Sequence, residues 1–407
     1  MFERTLVKNL SRIGQYFPIL LLTGPRQVGK TTILEMISRG KMNYVSLDDI
    51  SERALAQTDP ALFIENHRPP VIIDEVQYAP ELFSAIKIYV DSHKNENGLF
   101  WLTGSQKFTL MKNVQESLAG RVAILDVLGL SAAEIDGRPN TQPFLPTDEW
   151  LQNARTKPAN MPSVSDLYTR IWNGSFPRLI SQHNAERDIF YRSYMQTYIE
   201  RDVRDSHNIE DSIAFYNFVK ATAARTGQML NYAELARDVG IDPKTAKSWM
   251  SVLERSGLVK LLQPYYNNVT NRIIKTPKIY FLDTGLCAYL TGWDSPKSLE
   301  AGAMSGAILE TYVFIEILKS YWHNGKEALI YYYRDKDQKE IDFLIEANNR
   351  LYPAEVKKSI NPPAETVRQF NVLQSLNKEI GNCVILCLRP EILSLSKEVT
   401  LVPISAI

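Results

Sequence analysis

The chain has 407 residues with 46 Lys and Arg against 46 Asp and Glu, so its formal charge is zero, and 44% of its residues are hydrophobic and 23% charged. At roughly 150 residues per domain this is ordinary globular composition for two to four domains. It excludes a lone small module, a disordered chain and a polycation that coats nucleic acid through bulk charge, while leaving room for a local basic face.

The cysteines Cys287, Cys383 and Cys387 are too few and odd in number for a disulfide framework, so a reducing, cytoplasmic setting is expected. The start, Met1-Phe2-Glu3-Arg4, shows no basic and apolar leader, and runs such as Phe17–Leu22 fall far below the roughly 18 residues of a bilayer span. Neither export nor membrane insertion is expected.

In chain order, the apolar runs Ile19–Leu22, Tyr44–Leu47, Val71–Ile73 and Phe100–Leu102 are separated by helix-length intervals. They predict an α/β domain over 1–140, a parallel sheet with helices on both faces. Gly24-Pro25-Arg26-Gln27-Val28-Gly29-Lys30-Thr31 matches G-x-x-x-x-G-K-[ST] between the first strand and a helix expected near Thr32, which is the context the motif needs. Backbone N–H groups of such a loop converge on phosphate oxygens, Lys30 reaches the β and γ phosphates, and Thr31 ligates Mg²⁺. Gly24 to Thr32 are therefore the candidate ATP-binding residues.

Val71–Glu75 reads as a strand ending in two carboxylates, with Asp74 expected in the Mg²⁺ shell and Glu75 orienting or deprotonating the attacking water. Phe100–Leu102 runs into Thr103-Gly104-Ser105, where Thr103 or Ser105 either senses the γ phosphate or simply forms a strand-end turn. Arg121, ahead of the apolar run Val122–Leu125, is either an arginine finger acting on a neighbour's nucleotide in a homo-oligomer, or a surface arginine.

The proline-rich stretch Asp136–Ser165 has the composition of a connector rather than a core, and 141–225 is read as connector and helical lid. It carries the charge run Glu200–Asp205, for which a solvated helix is the default. Over 226–295, Tyr232–Val239, the turn Gly240-Ile241 and a helix from Pro243 capped by Asp242 form a helix-turn-helix, with Leu258–Leu262 and Lys278–Leu282 pairing as a wing. Lys244, Thr245, Lys247 and Ser248 stand near the start of its second helix as candidate DNA contacts. Arg237, Arg255, Lys260, Arg272, Lys275 and Lys278 extend a local basic surface. Winged helices also dock proteins, so DNA and a protein partner both stay open.

From 296 the pattern is a helix (Gly302–Tyr321), three strands (Leu329–Arg334, Ile341–Glu346, Leu351–Val356), a helix (Ala364–Leu376) and a strand (Val384–Leu388). Glu355 and Lys357 share one strand face, and Asp342 on the neighbouring strand can share a divalent ion with Glu355, Glu310 adding a further oxygen from the helix. Hard oxygen ligands suit Mg²⁺ or Mn²⁺, and Lys357 would position a water or steady charge on a phosphodiester. E-x-K on an exposed strand is also frequent without function. Cys383 and Cys387 lie on one face of the last strand as buried thiols, and the five histidines, His67, His93, His183, His207 and His323, have no ligand spacing.

GPRQVGKTT at Gly24–Thr32, IDEVQ at Ile73–Gln77, LTGS at Leu102–Ser105 and SLAGR at Ser117–Arg121 resemble, in this order, the AAA-type (AAA+) P-loop ATPases of bacteria and archaea. The resemblance implies ATP hydrolysis, followed by a winged helix, a stretch like Tyr280–Leu286 and a nuclease-like domain. Asp342 with Glu355-Val356-Lys357 similarly resembles the PD-(D/E)xK, restriction-endonuclease-like fold, with Ile341 where proline is usual. The leading expectation is an ATP- and Mg²⁺-dependent ATPase acting on DNA, with a nuclease-like domain that cleaves it. The alternative is an ATP-switched DNA- or protein-binding factor with an inert last domain. A small-molecule kinase fits the phosphate loop but leaves the later elements without a role.

Overall fold

The computed structural model describes all residues except 1, 39, 41, 106–116, 157–161, 183–185, 201–208, 210 and 267–274, and all but two of their side chains, those of 364 and 375. Residues 201–205 of the charge run, His183, His207 and Arg272 lie outside the described residues.

Apolar runs with no polar face become strands covered on both sides, as the three central strands of the first sheet are, while its two edge strands stay partly exposed. β1 (Ile19–Thr23), β2 (Asn43–Ser46), β3 (Val71–Asp74), β4 (Phe100–Gly104) and β5 (Val122–Asp126) form a parallel sheet in the order β2-β3-β4-β1-β5. Because β1 and β3 flank β4, the segments following all three strands open side by side at one sheet edge, where ligands of open α/β sheets sit. The helix after β1 starts at Lys30, two residues earlier than expected, so Lys30 and Thr31 form its first turn.

The proline-rich stretch is more than a connector. Asp148–Thr156 is a helix, Phe144 and Leu151 are buried, and the Phe144 N–H donates to Ser320 Oγ at 2.9 Å. Phe144 and Leu151 anchor it to the core, which a count of its prolines does not register.

Farther on, Asn231 accepts from the N–H groups of Ala233 and Glu234 to cap Tyr232–Val239, and Gly240, at φ +78°, ends that helix. Asp242 then caps Pro243–Arg255. β6 (Val259–Leu262) and β7 (Lys278–Phe281) pair antiparallel, as expected. Their unit is stitched to the last sheet, since Tyr265 N–H donates to Tyr332 O at 2.7 Å and Tyr332 N–H to Gln263 O at 3.2 Å.

The last sheet is mixed: β8 (Ile330–Arg334), β9 (Glu340–Ala347), β10 (Arg350–Lys357), β12 (Cys383–Cys387), β14 (Val399–Pro403) and β13 (Leu393–Ser394) follow one another across it, and β11 (Glu379–Ile380) pairs with the start of β10. β14, all of it buried, was not anticipated from the pattern. The opening helix runs Ser305–Trp322, a short helix not anticipated, Pro296–Ala301 capped by Ser295, precedes it, and Ala364–Ser375 is 3₁₀ rather than α-helical. Both expected buried thiols on β12 are buried.

One apolar layer, running from Leu6 and Leu20 through Phe218 and Trp249 to Phe314 and Val384, packs the two large sheets and the helices between them into one body. Smaller clusters cover the outer faces, around Ile73 and Phe83 on one side and Leu344 and Ile385 on the other. The Ser305–Trp322 helix is buried over most of its length, as its lack of a polar stripe requires. Among the described residues no helix is long and apolar enough to cross a membrane.

Candidate functional site

The phosphate-loop motif wraps the end of β1 around the first turn of a helix. Gly24 takes φ +144°, and a Cβ there would lie 2.1 Å from the Val127 carbonyl oxygen, so only glycine fits. Gln27 is left-handed at φ +62°. Lys30, nearly buried, donates through Nζ to the carbonyls of Gly24 (3.0 Å) and Pro25 (2.8 Å), which holds the ammonium against the loop. Val28 is buried, while Gln27 and Thr32 are exposed. Arg4 supports the loop from behind: its guanidinium donates to Val28 O (3.0 Å) and Leu128 O (2.9 Å) and pairs with buried Glu134 at 3.2 Å.

Asp74 accepts from three hydroxyls. Thr31 Oγ1 lies 3.1 and 3.0 Å from its two oxygens, Tyr44 OH donates to Oδ2 at 3.1 Å, and Thr103 Oγ1 donates to Oδ1. Burial, and then the Asp74 charge, push the Tyr44 phenol well above its usual range. Glu75 stands in the left-handed region at φ +55°, a conformation rare outside glycine and asparagine. Its N–H donates to Thr103 Oγ1 at 3.2 Å, and its Oε2 accepts from Ser105 Oγ at 3.2 Å and from Gln77 Nε2.

The structure thus brings Lys30, Thr31, Asp74, Glu75, Thr103 and Ser105 to one edge. Thr103 is committed to Asp74 and the Glu75 backbone, and Ser105 to the Glu75 carboxylate, so both orient the acidic pair. Sequence reading missed Tyr44 and Gln77. Gln77 had a signal, lying two residues past Glu75 inside the motif, whereas Tyr44 had none. A cavity of about 350 Å³ opens at Gly24, Pro25 and Ser105, and Arg255 and Lys260 from the helix-turn-helix unit also line it. Arg121 is bound within its own chain, its Nε and Nη2 lying 2.7 and 3.0 Å from the Asp91 carboxylate.

Lys244, Lys247 and Ser248 are exposed near the start of the Pro243–Arg255 helix. The Thr245 hydroxyl donates to the Asp242 carboxylate, so it serves the cap. Lys278 corrects the expected basic surface. It is buried, because β7 carries it under the Ser305–Trp322 helix into the acidic group of the last domain.

There the Asp342 N–H donates to Glu355 Oε2 (3.3 Å), the Val356 N–H donates to Asp342 Oδ2 (2.8 Å), and Lys357 Nζ donates to Glu355 Oε1 (2.7 Å). Glu310 Oε1 accepts from Lys278 Nζ at 3.0 Å and Tyr280 OH at 2.5 Å, and Lys278 also pairs with Glu340. Burial, then the charges of Glu310 and Glu355, push the Asp342 carboxyl well up, and burial raises Glu355 as well. Burial acts to lower Lys278, but Glu310, Asp342 and Glu340 outweigh it and hold its ammonium above the usual range. Among the described residues, no group of three or more His, Cys, Asp or Glu is disposed to hold a metal ion. An open cleft of about 1580 Å³ reaches Glu340 and Glu355, with Lys275, Arg334, Lys336 and Arg368 along it.

Residues 16–136 match a family described as an AAA domain, and 164–297 and 305–407 match families described as domains of unknown function, DUF8612 and DUF4143. Two uncharacterized proteins, of Mycobacterium bovis and Mycobacterium tuberculosis, are each 27% identical over 88% of this chain and 75% of their own length. A Walker-type ATPase of Pyrococcus abyssi superposes with a TM-score of 0.44 at 13% identity, covering 70% of this chain and 94% of that one. The match over residues 16–136 supports a P-loop domain of the AAA type there, a class that binds and hydrolyses ATP and typically uses Mg²⁺.

Proposed function

We propose that this protein is an AAA-type ATPase that acts on nucleic acid, with an ATPase core over 1–140, a connector and helical lid over 141–225, a winged-helix unit over 226–295 and a nuclease-like domain over 296–407. The observation that carries the reading is the convergence of Thr31 and Thr103 on Asp74 beside Glu75. Backbone N–H groups of the loop and Lys30 bind the phosphates of ATP and stabilise charge as it shifts between the β and γ groups. Glu75, oriented by Ser105 and Gln77, holds the attacking water and accepts its proton as the new oxygen–phosphorus bond forms and the bond to ADP breaks. The hard oxygens of Thr31 and Asp74, adjacent at 3.0–3.1 Å, fit Mg²⁺ and would hold it, and the ion would neutralise phosphate charge. Arg121, paired with Asp91 in its own chain, fits the surface-arginine alternative better than the finger.

Lys244, Lys247 and Ser248 supply the nucleic-acid contacts, and Thr245 keeps their helix start in place. In the last domain, the carboxylates do not fit a divalent ion as arranged, since an ammonium and a phenol take Glu310 Oε1 and a second ammonium takes Glu355 Oε1. The domain serves the ATPase as an inert, nuclease-like binding module. A second reading, DNA cleavage with Mg²⁺ or Mn²⁺, rests on the adjacency of Asp342, Glu355 and Lys357.

The test is degradation of labelled linear, branched and single-stranded DNA, with ATP hydrolysis and DNA retention read in the same reactions. Hydrolysis lost in Lys30→Ala, with DNA retention lost in a Lys244→Ala, Lys247→Ala double variant and no degradation, is expected. Degradation lost in Glu355→Ala would replace the inert module by a nuclease. Wild type that neither hydrolyses ATP nor retains DNA would overturn the proposal.

A further inference from the structure

The C-terminal acidic group contains a cation contributed by another part of the chain. Lys278 belongs to β7, in the two-stranded unit that follows the helix-turn-helix, yet its Nζ lies 3.0 Å from Glu310 Oε1 and pairs with Glu340, and its side chain is only 5% exposed. Tyr280, two residues on and therefore on the same strand face, donates to the same Glu310 oxygen. A buried lysine is held in such a place only by compensating charge, because an isolated ammonium in a protein interior is costly. Here the compensation comes from one strand and a helix: β9, with Glu340 and Asp342, and Ser305–Trp322, with Glu310.

We propose that the Lys278 ammonium is the resident cation of the Glu310–Asp342–Glu355 group, occupying the charge position that a divalent ion would otherwise fill. The inference deepens the reading of the last domain as nuclease-like, and rests on it. Two observations carry it. Glu310, the helix oxygen that would complete a metal site, is engaged by Lys278 and Tyr280, and no metal-holding trio is formed among the described residues. The remaining lysine, Lys357, lies on β10 with its Nζ 2.7 Å from Glu355 Oε1. The two ammonium groups thus reach the acidic group from different elements, β7 and β10.

Competition between one fixed charge and a diffusible one makes the test direct. In an Asp74→Asn background, which removes the nucleotide-site carboxylate, Mn²⁺ binding to the full chain without nucleotide is followed by loss of the free-ion electron paramagnetic signal. Lys278→Met is expected to tighten Mn²⁺ binding at least about tenfold, the scale of one charge removed from a partly buried site, and adding Asp342→Asn should cancel the gain. Equal Mn²⁺ affinity in the presence and absence of Lys278→Met overturns the proposal, as does a variant that folds and binds no ion.

Should Lys278→Met fail to fold, crystals of the unaltered protein soaked in Mn²⁺ decide. An anomalous peak between Asp342, Glu355 and Glu310 with Lys278 still on Glu310 overturns the inference; no peak there, or one only where Lys278 has moved out, supports it. A Lys278→Met protein that gains Mn²⁺ but cuts no DNA upholds the inference while ending the cleavage reading. Cleavage by wild type with the lysine in place does the opposite.

Discussion

The acidic pair of the N-terminal sheet and the acidic group of the C-terminal sheet are held by different kinds of donor. Asp74 and Glu75 accept from hydroxyls and an amide: Thr31, Tyr44, Thr103, Ser105 and Gln77. Glu310 and Glu355 accept neutral donors too, the Tyr280 phenol and the Asp342 N–H, but each also accepts from an ammonium group, Lys278 and Lys357. Neutral donors fix a carboxylate's direction and leave its charge available to a metal or a proton, whereas an ammonium satisfies both direction and charge at once. Two sites that look alike as strings of Asp, Glu and Lys therefore differ in what they can still bind.

The largest effect that would sharpen the contrast is at Glu75. Glu75→Gln should cut ATP hydrolysis by ~10²–10⁴-fold while nucleotide binding persists, since only proton transfer is lost; single-turnover hydrolysis alongside equilibrium ATP binding reads both, and unchanged turnover would remove Glu75 from the chemistry. Glu134 extends the comparison to a carboxylate that is buried and fully compensated. Burial alone would raise it, but His323 and then Arg4 outweigh burial and hold its carboxyl well below the usual range. Glu134→Gln should cost ~3–5 kcal/mol, as for breaking a buried pair, read by denaturant unfolding.

Unfolded, Glu134 titrates near ~4.3, and folded it titrates far lower, so in between the folded chain binds fewer protons. Its stabilisation is present above about pH 4 and is lost as pH falls toward the folded value, at up to ~1.4 kcal/mol per pH unit. That acid slope should flatten in Glu134→Gln, and an unchanged slope would break the assignment. A smaller effect is expected at Thr103→Val, which removes one donor from Asp74; hydrolysis should fall by about five- to a hundredfold, as for one charge-assisted hydrogen bond. The smallest is at Arg121, whose pair with Asp91 lies at the surface. Arg121→Ala should leave turnover per subunit within about twofold and independent of protein concentration, whereas a finger acting in trans would lose ~10³–10⁵-fold.

Legibility followed contiguity. The phosphate loop, the Asp74–Glu75 strand end and the cap of Pro243–Arg255 each consist of neighbours in the chain, and each stands where its pattern indicates. The pairing of β6 with β7 and the approach of Asp342 to Glu355 were also readable, because alternation along a strand sets which residues share a face. Lys278 was misread as part of a basic surface. Nothing within several residues of it announces that its strand runs beneath a helix starting at Ser305. The connector was misread for a related reason: prolines dominate its composition, while Phe144 and Leu151 decide where it packs.

By itself the sequence determined the AAA-type nucleotide-binding loop, the alternation that builds a parallel sheet, and the helix starts and stops, since each depends on interactions between residues a few positions apart. The tertiary structure alone decided which charges meet. Arg4 reaches Val28 and Glu134, His323 comes to Glu134, Tyr44 reaches Asp74, and Lys278 enters the carboxylates of a later domain. Burial multiplies the energy of a charge pair and the cost of an unpaired charge alike. The partners of a buried charge are therefore chosen by how distant segments pack, a property no local pattern encodes.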